Sequence, residues 1–128
     1  MSVTYKGGSD AVDVQQFTSS GTWTKAARAK DDDYALVIAF GAAGGGGSGR
    51  RGGASSVRCA GGGGGGGIKV FELFRVGDLG ATESVPIGAG GTAGAAATVD
   101  SSSGNAGVDG GNTTFGSLLT AYGGGGGR

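Results

Sequence analysis

Large hydrophobic residues are confined to about six short stretches of this chain, and their spacing is that of β-strands. Residues 34–40 (YALVIAF) form the most apolar stretch, which predicts a central strand buried on both faces. Residues 68–76 predict a second long strand whose side chains alternate between two faces, with Phe71 and Leu73 on one of them. A third strand is predicted at 82–87, where Pro86 favours an edge position or a bulge because proline cannot donate to a ladder. Further short strands are predicted at 112–115 and 118–122.

The first third of the chain is more polar and carries weaker signals. Within residues 1–15, hydrophobic and polar residues alternate only at 12–14, which indicates an arm or an edge strand. Residues 17–24 place β-branched and aromatic residues around a Ser-Ser-Gly turn, which predicts two short strands joined tightly. The acidic run 31–33 lacks the alternate spacing of a calcium loop and is interpreted as a solvated turn before a strand.

Glycine changes this picture, because it supplies 34 of the 128 residues and is concentrated in the runs 44–47, 61–67 and 123–127. Ordering a glycine costs about 0.5–1 kcal/mol more than ordering an alanine. A flexible linker is the ordinary interpretation of such runs. Here, however, the runs are nearly pure glycine, and strand-like stretches lead directly into them. We therefore predict packed polyglycine II helices, in which missing Cβ atoms let backbones touch, with run 61–67 spanning about 22 Å.

These patterns together predict an all-β fold: a small antiparallel β-sandwich, jelly-roll-like, with packed polyglycine II helices formed by the glycine runs. The length fits one domain. Residues 1–16 are predicted to be an N-terminal arm or attachment segment, and residues 17–128 a glycine-rich β/polyglycine II domain.

Charge and composition argue against several classes of function. Ten basic and ten acidic residues give a net charge of zero, so no basic field favours nucleic acid, and the single Arg-Gly-Gly word at 51–53 does not repeat. The chain has no histidine, no phosphate-binding loop and no evident catalytic carboxylate pair, so we expect no enzyme activity, no cofactor and no metal. The lone Cys59 is interpreted as a packing residue. No signal peptide or long apolar run is evident, which favours assembly in a reducing cytoplasm.

Four ordered motifs resemble the glycine-rich domain found in tail fibre and tail tip proteins of tailed bacteriophages. The first is FTSSGTWTK at 17–25, and the second is a strand that leads into a glycine run followed by RRG at 50–52. The others are VPIGAGGTAG at 85–94 and GGNTTFGSLLTAYG at 110–123. The resemblance covers residues 17–127. Two positions depart from it, because the family usually has proline where this chain has Ala26 and Gly80. Certain receptor ectodomains and phage adhesins have similar modules.

The resemblance implies a virion structural protein of the bacteriophage tail or tail fibre that contributes to host-cell attachment. Its location would be the virion tail, after assembly in the host bacterial cytoplasm. Its partners would be other phage tail proteins and a bacterial surface polysaccharide or outer-membrane receptor, and it would form a homo-oligomer, with a trimer favoured. An alternative is an architectural tail assembly adaptor that docks through residues 1–16 and binds no receptor.

Receptor contacts are expected in the polar loops that join successive glycine runs. Arginine there suits the phosphate or carboxylate groups of a surface polysaccharide. The candidates are Arg50, Arg51, Ser55, Ser56, Arg58, Ser101, Ser102, Ser103 and Asn105.

Overall fold

The computed structural model describes residues 1–6, 12–53 and 55–128, so part of the predicted arm, residues 7–11, lies outside the described residues. The described chain is all-β apart from one short 3-10 turn, and every strand pairing is antiparallel, which confirms the predicted fold class. The strands are β1 (Ser2–Lys6), β2 (Val12–Gln16), β3 (Gly21–Thr24), β4 (Tyr34–Phe40), β5 (Lys69–Arg75), β6 (Thr82–Val85), β7 (Thr113–Phe115) and β8 (Leu119–Ala121). The jelly-roll connectivity stays a prediction.

The strands form one four-stranded sheet in the order β2-β1-β4-β5 and two smaller sheets, β3-β6 and β7-β8. In the four-stranded sheet β1 lies between β2 and β4, so residues 2–6 belong to the sheet and β2 forms one of its edges. The attachment role of residues 1–16 stays a prediction. The predicted tight pair of strands within residues 17–24 is wrong. Its second half, β3, pairs instead with the distant β6, with Trp23 opposite Glu83.

Side chains along β4 alternate between buried and open positions. Val37 and its two alanine neighbours on the same face are fully buried, whereas Tyr34 and Phe40 are more than half exposed. The strand is central, as predicted, but the expected burial on both faces is wrong for this chain, since only one face is covered.

The apolar core lies entirely within the strand-bearing part of the chain. It gathers Trp23, Val85 and Phe115 from the two small sheets around the buried face of the large sheet. The rings of Trp23 and Phe115 meet edge to face at 5.6 Å between centroids, and Phe74 lies 6.1 Å from Phe115. One aromatic cluster therefore links all three sheets.

The chain divides into two compact units, each assembled from three separate stretches. Unit 1 contains all eight strands. Unit 2 comprises Gly41–Ile68, Gly88–Asn112 and Tyr122–Arg128, and it holds the three glycine runs.

Unit 2 contains five extended segments that hydrogen-bond to one another through their backbones. We number them I (41–51), II (59–68), III (88–94), IV (102–111) and V (122–128). Segment I bonds all four others: it donates to II and IV at every third residue and accepts from III and V at the same interval. The N–H groups of Gly41, Gly44, Gly47 and Arg50 donate to II, and those of Ala42, Gly45, Ser48 and Arg51 donate to IV, over N to O distances of 2.8–3.2 Å.

Crowding of the glycines has the same period of three. In segment II, a Cβ built on Gly61, Gly64 or Gly67 would lie 2.1 Å from a carbonyl oxygen of segment I, whereas one built on Gly63 or Gly66 would meet nothing within 4 Å. Three residues per turn without internal hydrogen bonds is the geometry of polyproline II and polyglycine II helices. Polyglycine II helices stay a prediction, which this periodicity supports.

Candidate functional site

The ends of segments I, II and IV meet at the loop formed by residues 52–58. The N–H of Arg50 donates to the carbonyl of Cys59 over 3.0 Å, and the N–H of Arg51 donates to the carbonyl of Ser102 over 3.2 Å. Arg51 and Ser102 also form an isolated antiparallel bridge. The loop is therefore anchored to the backbone network at both of its ends.

Two serines with positive φ shape the turns beside this point. Ser55 has φ of 62° and Ser101 has φ of 64°, a region that residues other than glycine seldom occupy. Side-chain bonds support both turns: the Ser56 hydroxyl donates to the carbonyl of Gly53 over 2.8 Å, and the Ser102 hydroxyl donates to the carbonyl of Val99 over 2.6 Å. The serines here hold loop shape, and their hydroxyls are partly committed to the backbone.

An open depression of about 480 Å³ lies at this junction, lined by Arg51, Gly52, Arg58 and Asp100. Its volume is within the range of small-molecule sites. A Cβ at Gly52 would lie 2.0 Å from the Ser56 hydroxyl oxygen, so that side chain would have to move to accommodate it. The serine side chain thus packs directly on bare backbone beside the two arginines.

The two arginines of the depression differ in their electrostatic environment. The Arg51 Nε lies 2.8 Å from Asp100 Oδ1, and both side chains are more than half exposed. Arg58 forms no ion pair with any residue that the structure describes. The depression therefore carries one neutralised guanidinium and one whose charge is not balanced by a neighbouring acid, an arrangement suited to an anionic group.

The remaining predicted contact residues do not line the depression. Arg50 and Ser103 are exposed, with Arg50 tied to segment II through its backbone. Asn105 has a structural role, since its amide nitrogen donates to the carbonyl of Ala95 over 2.7 Å and its N–H donates to the Ser48 hydroxyl over 2.7 Å. Sequence reasoning missed Asp100 and Gly52, because neither stands out until segment IV is brought beside segment I.

A second depression, of about 370 Å³, lies within unit 1 and is lined by Asp13, Ala26, Ala27 and Arg28. Sequence analysis did not predict it.

Within the described ranges, no group of three or more His, Cys, Asp or Glu residues is placed to hold a metal ion. The acidic run 31–33 makes turn contacts instead: Asp32 pairs with Arg75, and Asp33 accepts from the Lys30 N–H over 2.7 Å. The pKa of Arg75 is raised by its hydrogen bond and charge interaction with Asp32.

None of the helical structure in the described part of the chain has the length and hydrophobicity needed to cross a membrane.

No curated protein and no solved structure matches the chain. A family model described as a glycine-rich domain matches residues 13–128, from the second strand to the last glycine run and Arg128. With that match covering almost all of the sequence, the chain belongs to the glycine-rich domain family.

Proposed function

We propose that this protein is a structural module of a bacteriophage virion, located in the tail or tail fibre, that contributes to host attachment through the depression at Arg51 and Arg58. In this proposal it assembles with other tail proteins in the host cytoplasm, forms a homo-oligomer and is not an enzyme. The motifs quoted above support the phage assignment, and the anchored arginine loop supports the attachment role.

The observation that carries the attachment role is that both ends of the loop are bonded to the backbone network. Backbone bonds at Arg50 and Arg51 hold one end of the loop, and segment II begins at its other end. Binding to a preordered loop loses less conformational entropy than binding to a mobile one. Glycine-rich segments that touch backbone to backbone provide such a support without large side chains.

The ligand class follows from the charges. Of the two arginines that line the depression, Arg58 has no acid partner among the described residues, and Arg51 can exchange its exposed bond with Asp100 for a bond to a ligand. A guanidinium binds phosphate or carboxylate through two parallel N–H bonds. We therefore propose an acidic surface polysaccharide as the ligand, recognised through its phosphate or uronic acid groups.

The test is a binding titration with the purified protein and the variant Arg58→Gln. The probes are a phosphorylated oligosaccharide, a uronic acid oligosaccharide and a neutral oligosaccharide of the same length. Arg28→Gln is the matched control, since it removes the same charge from unit 1. We expect one acidic probe to bind and Arg58→Gln to weaken it about tenfold or more, with no change for Arg28→Gln. Equal binding by the parent and Arg58→Gln, or binding to none of the probes, refutes the proposed site.

The second candidate, an architectural adaptor that docks through residues 1–16, is favoured by the edge position of β2. Deleting residues 1–16 does not test it cleanly, because β1 is an internal strand and Val3 is 1% exposed. Virions carrying both Arg51→Gln and Arg58→Gln separate the two candidates. Normal assembly with reduced adsorption to cells supports attachment, whereas normal assembly with normal adsorption supports the adaptor.

A further inference from the structure

One face of the four-stranded sheet is apolar and uncovered. We call it the apolar face, and its members come from all four strands. They are Ser2 and Thr4 of β1, Val12, Val14 and Gln16 of β2, Tyr34, Leu36, Ile38 and Phe40 of β4, and Phe71 and Leu73 of β5. Phe71 is 67% exposed, and Leu73 and Val14 are each 59% exposed.

The sequence of β4 gives the first reason to expect that a second protein layer packs on the apolar face. Strands that are apolar at consecutive positions are those buried on both faces, whereas strands with one wet face alternate apolar and polar residues. β4 is apolar throughout, yet in this chain only the face bearing Val37 is buried. Its sequence therefore suits a second layer that a single copy does not supply.

Lys69 and Arg75 of β5 are also on this face, where they lie opposite Phe40 and Tyr34 in the rows at its two ends. The two central rows across the sheet, Leu73-Leu36-Thr4-Val14 and Phe71-Ile38-Ser2-Gln16, carry no charged side chain. The Lys69 ammonium lies 6.0 Å from the ring centre of Phe40 and 5.9 Å from that of Phe71. A centre depleted of charge, with polar groups at the rim, is the composition of protein interfaces.

The area fits association between two copies. An aromatic side chain presents about 150–250 Å², so the half-exposed rings of Tyr34, Phe40 and Phe71 offer on the order of 350 Å² together. The exposed aliphatic residues raise the apolar face to about 600 Å², the upper end for a patch on a monomer. Two such faces would bury about 1,200 Å², the lower end for a stable specific interface.

We propose that the apolar face binds the same face of a second copy of this chain, as a two-fold dimer of sheets. The face is graded, because β4 and β5 carry bulky residues while β1 and β2 carry small ones. A two-fold axis parallel to the strands places the bulky half of each copy on the small half of the other, so that Leu73 lies over the partner's Val14. Large side chains facing small ones is how packed layers interdigitate. The net charge of zero adds no long-range repulsion between copies.

This proposal concerns unit 1 alone and does not rest on the attachment role proposed for the arginine loop. A dimer without polysaccharide binding would refute only the latter, and the reverse result would refute only the dimer. A two-fold pairing also predicts a dimer where the phage resemblance implies a trimer.

Sedimentation equilibrium of the purified full chain tests the proposal, with Leu73→Glu as the disrupting variant. Burying an unpaired carboxylate in the interface should raise the dimer dissociation constant by about 100-fold or more. Val99→Glu is the control, because Val99 is 67% exposed and lies in unit 2. We expect it to leave the dissociation constant unchanged. Circular dichroism melting checks that both variants fold.

A charge pair across the axis provides the stricter test. Val14→Lys should also give a monomer, while a mixture of Leu73→Glu and Val14→Lys should form a heterodimer, because each carboxylate then faces an ammonium. A monomeric parent at micromolar concentration overturns the proposal. So does a dimer or trimer that persists in Leu73→Glu, or a failure of the two monomeric variants to associate with each other.

Discussion

Replacing Gly64 by alanine is the most direct test of how unit 2 holds together. The added Cβ would lie 2.1 Å from the carbonyl oxygen of Gly44 and 2.8 Å from that of Gly45. Ordinary van der Waals contact begins near 3.4 Å, so segments I and II must separate by about 1 Å. That shift strains the bond from the Gly44 N–H to the Gly65 carbonyl, which is now 2.9 Å.

The expected cost is that of overpacking, about 1–3 kcal/mol. For a domain of this size, each kcal/mol lowers the melting temperature by about 3–5 °C. Gly64→Ala should therefore melt about 3–15 °C below the parent.

Gly63 is the matched control, because it is the adjacent residue of the same run. A Cβ there meets no atom within 4 Å, and its φ is not positive. Gly63→Ala should leave the fold intact and raise its stability by about 0.4–1 kcal/mol, since alanine restricts the unfolded chain. The two substitutions are therefore expected to change the stability of the fold in opposite directions. If Gly64→Ala melts at or above Gly63→Ala, run 61–67 is not packed as described.

Three further outcomes are expected. Hydrogen exchange should protect the amide of Gly65, which donates to Gly125 over 2.7 Å, more than that of Gly66, which donates to no described residue; uniform exchange across the run would contradict this. Gly116→Ala should lower stability by about 1–2 kcal/mol because φ is +51° there, and an unchanged melting curve would show that the turn relaxes. Phe115→Ala should cost about 3–5 kcal/mol by chemical denaturation, since the ring is fully buried against Trp23; a loss below 1 kcal/mol would mean that the core collapses around the gap.

Hydrophobic pattern predicted where β4 to β8 lie, but it did not predict β1 as a strand and did not show which strands pair. Residues 34–40 were predicted with the bounds that β4 has. The pair of strands expected within residues 17–24 was wrong because pairing is decided by distant partners: β3 joins β6, and β2 joins β1. A Ser-Ser-Gly turn carries no information about such long-range partners.

The glycine runs limited prediction in a different way. A run of identical residues cannot reveal which of its members are crowded, so the contrast between Gly63 and Gly64 needed coordinates. The members of the candidate site could not all be predicted from the sequence either. Arg51 and Arg58 stood out in the sequence, but Asp100 is distant from both along the chain and reaches Arg51 only because segment IV hydrogen-bonds to segment I.

The interleaving of the two units has a consequence for biosynthesis. Segment V accepts hydrogen bonds from segments II and IV and donates to segment I, so three earlier segments depend on one that is translated after all of them. Until segment V is made, the amides of segments II and IV that donate to it have no partner there and bond to water. Contacts of such long sequence separation are typical of slow folding. Because β8 ends at Ala121 and segment V begins at residue 122, the backbone network of unit 2 can close only after every strand described in unit 1 has been synthesised.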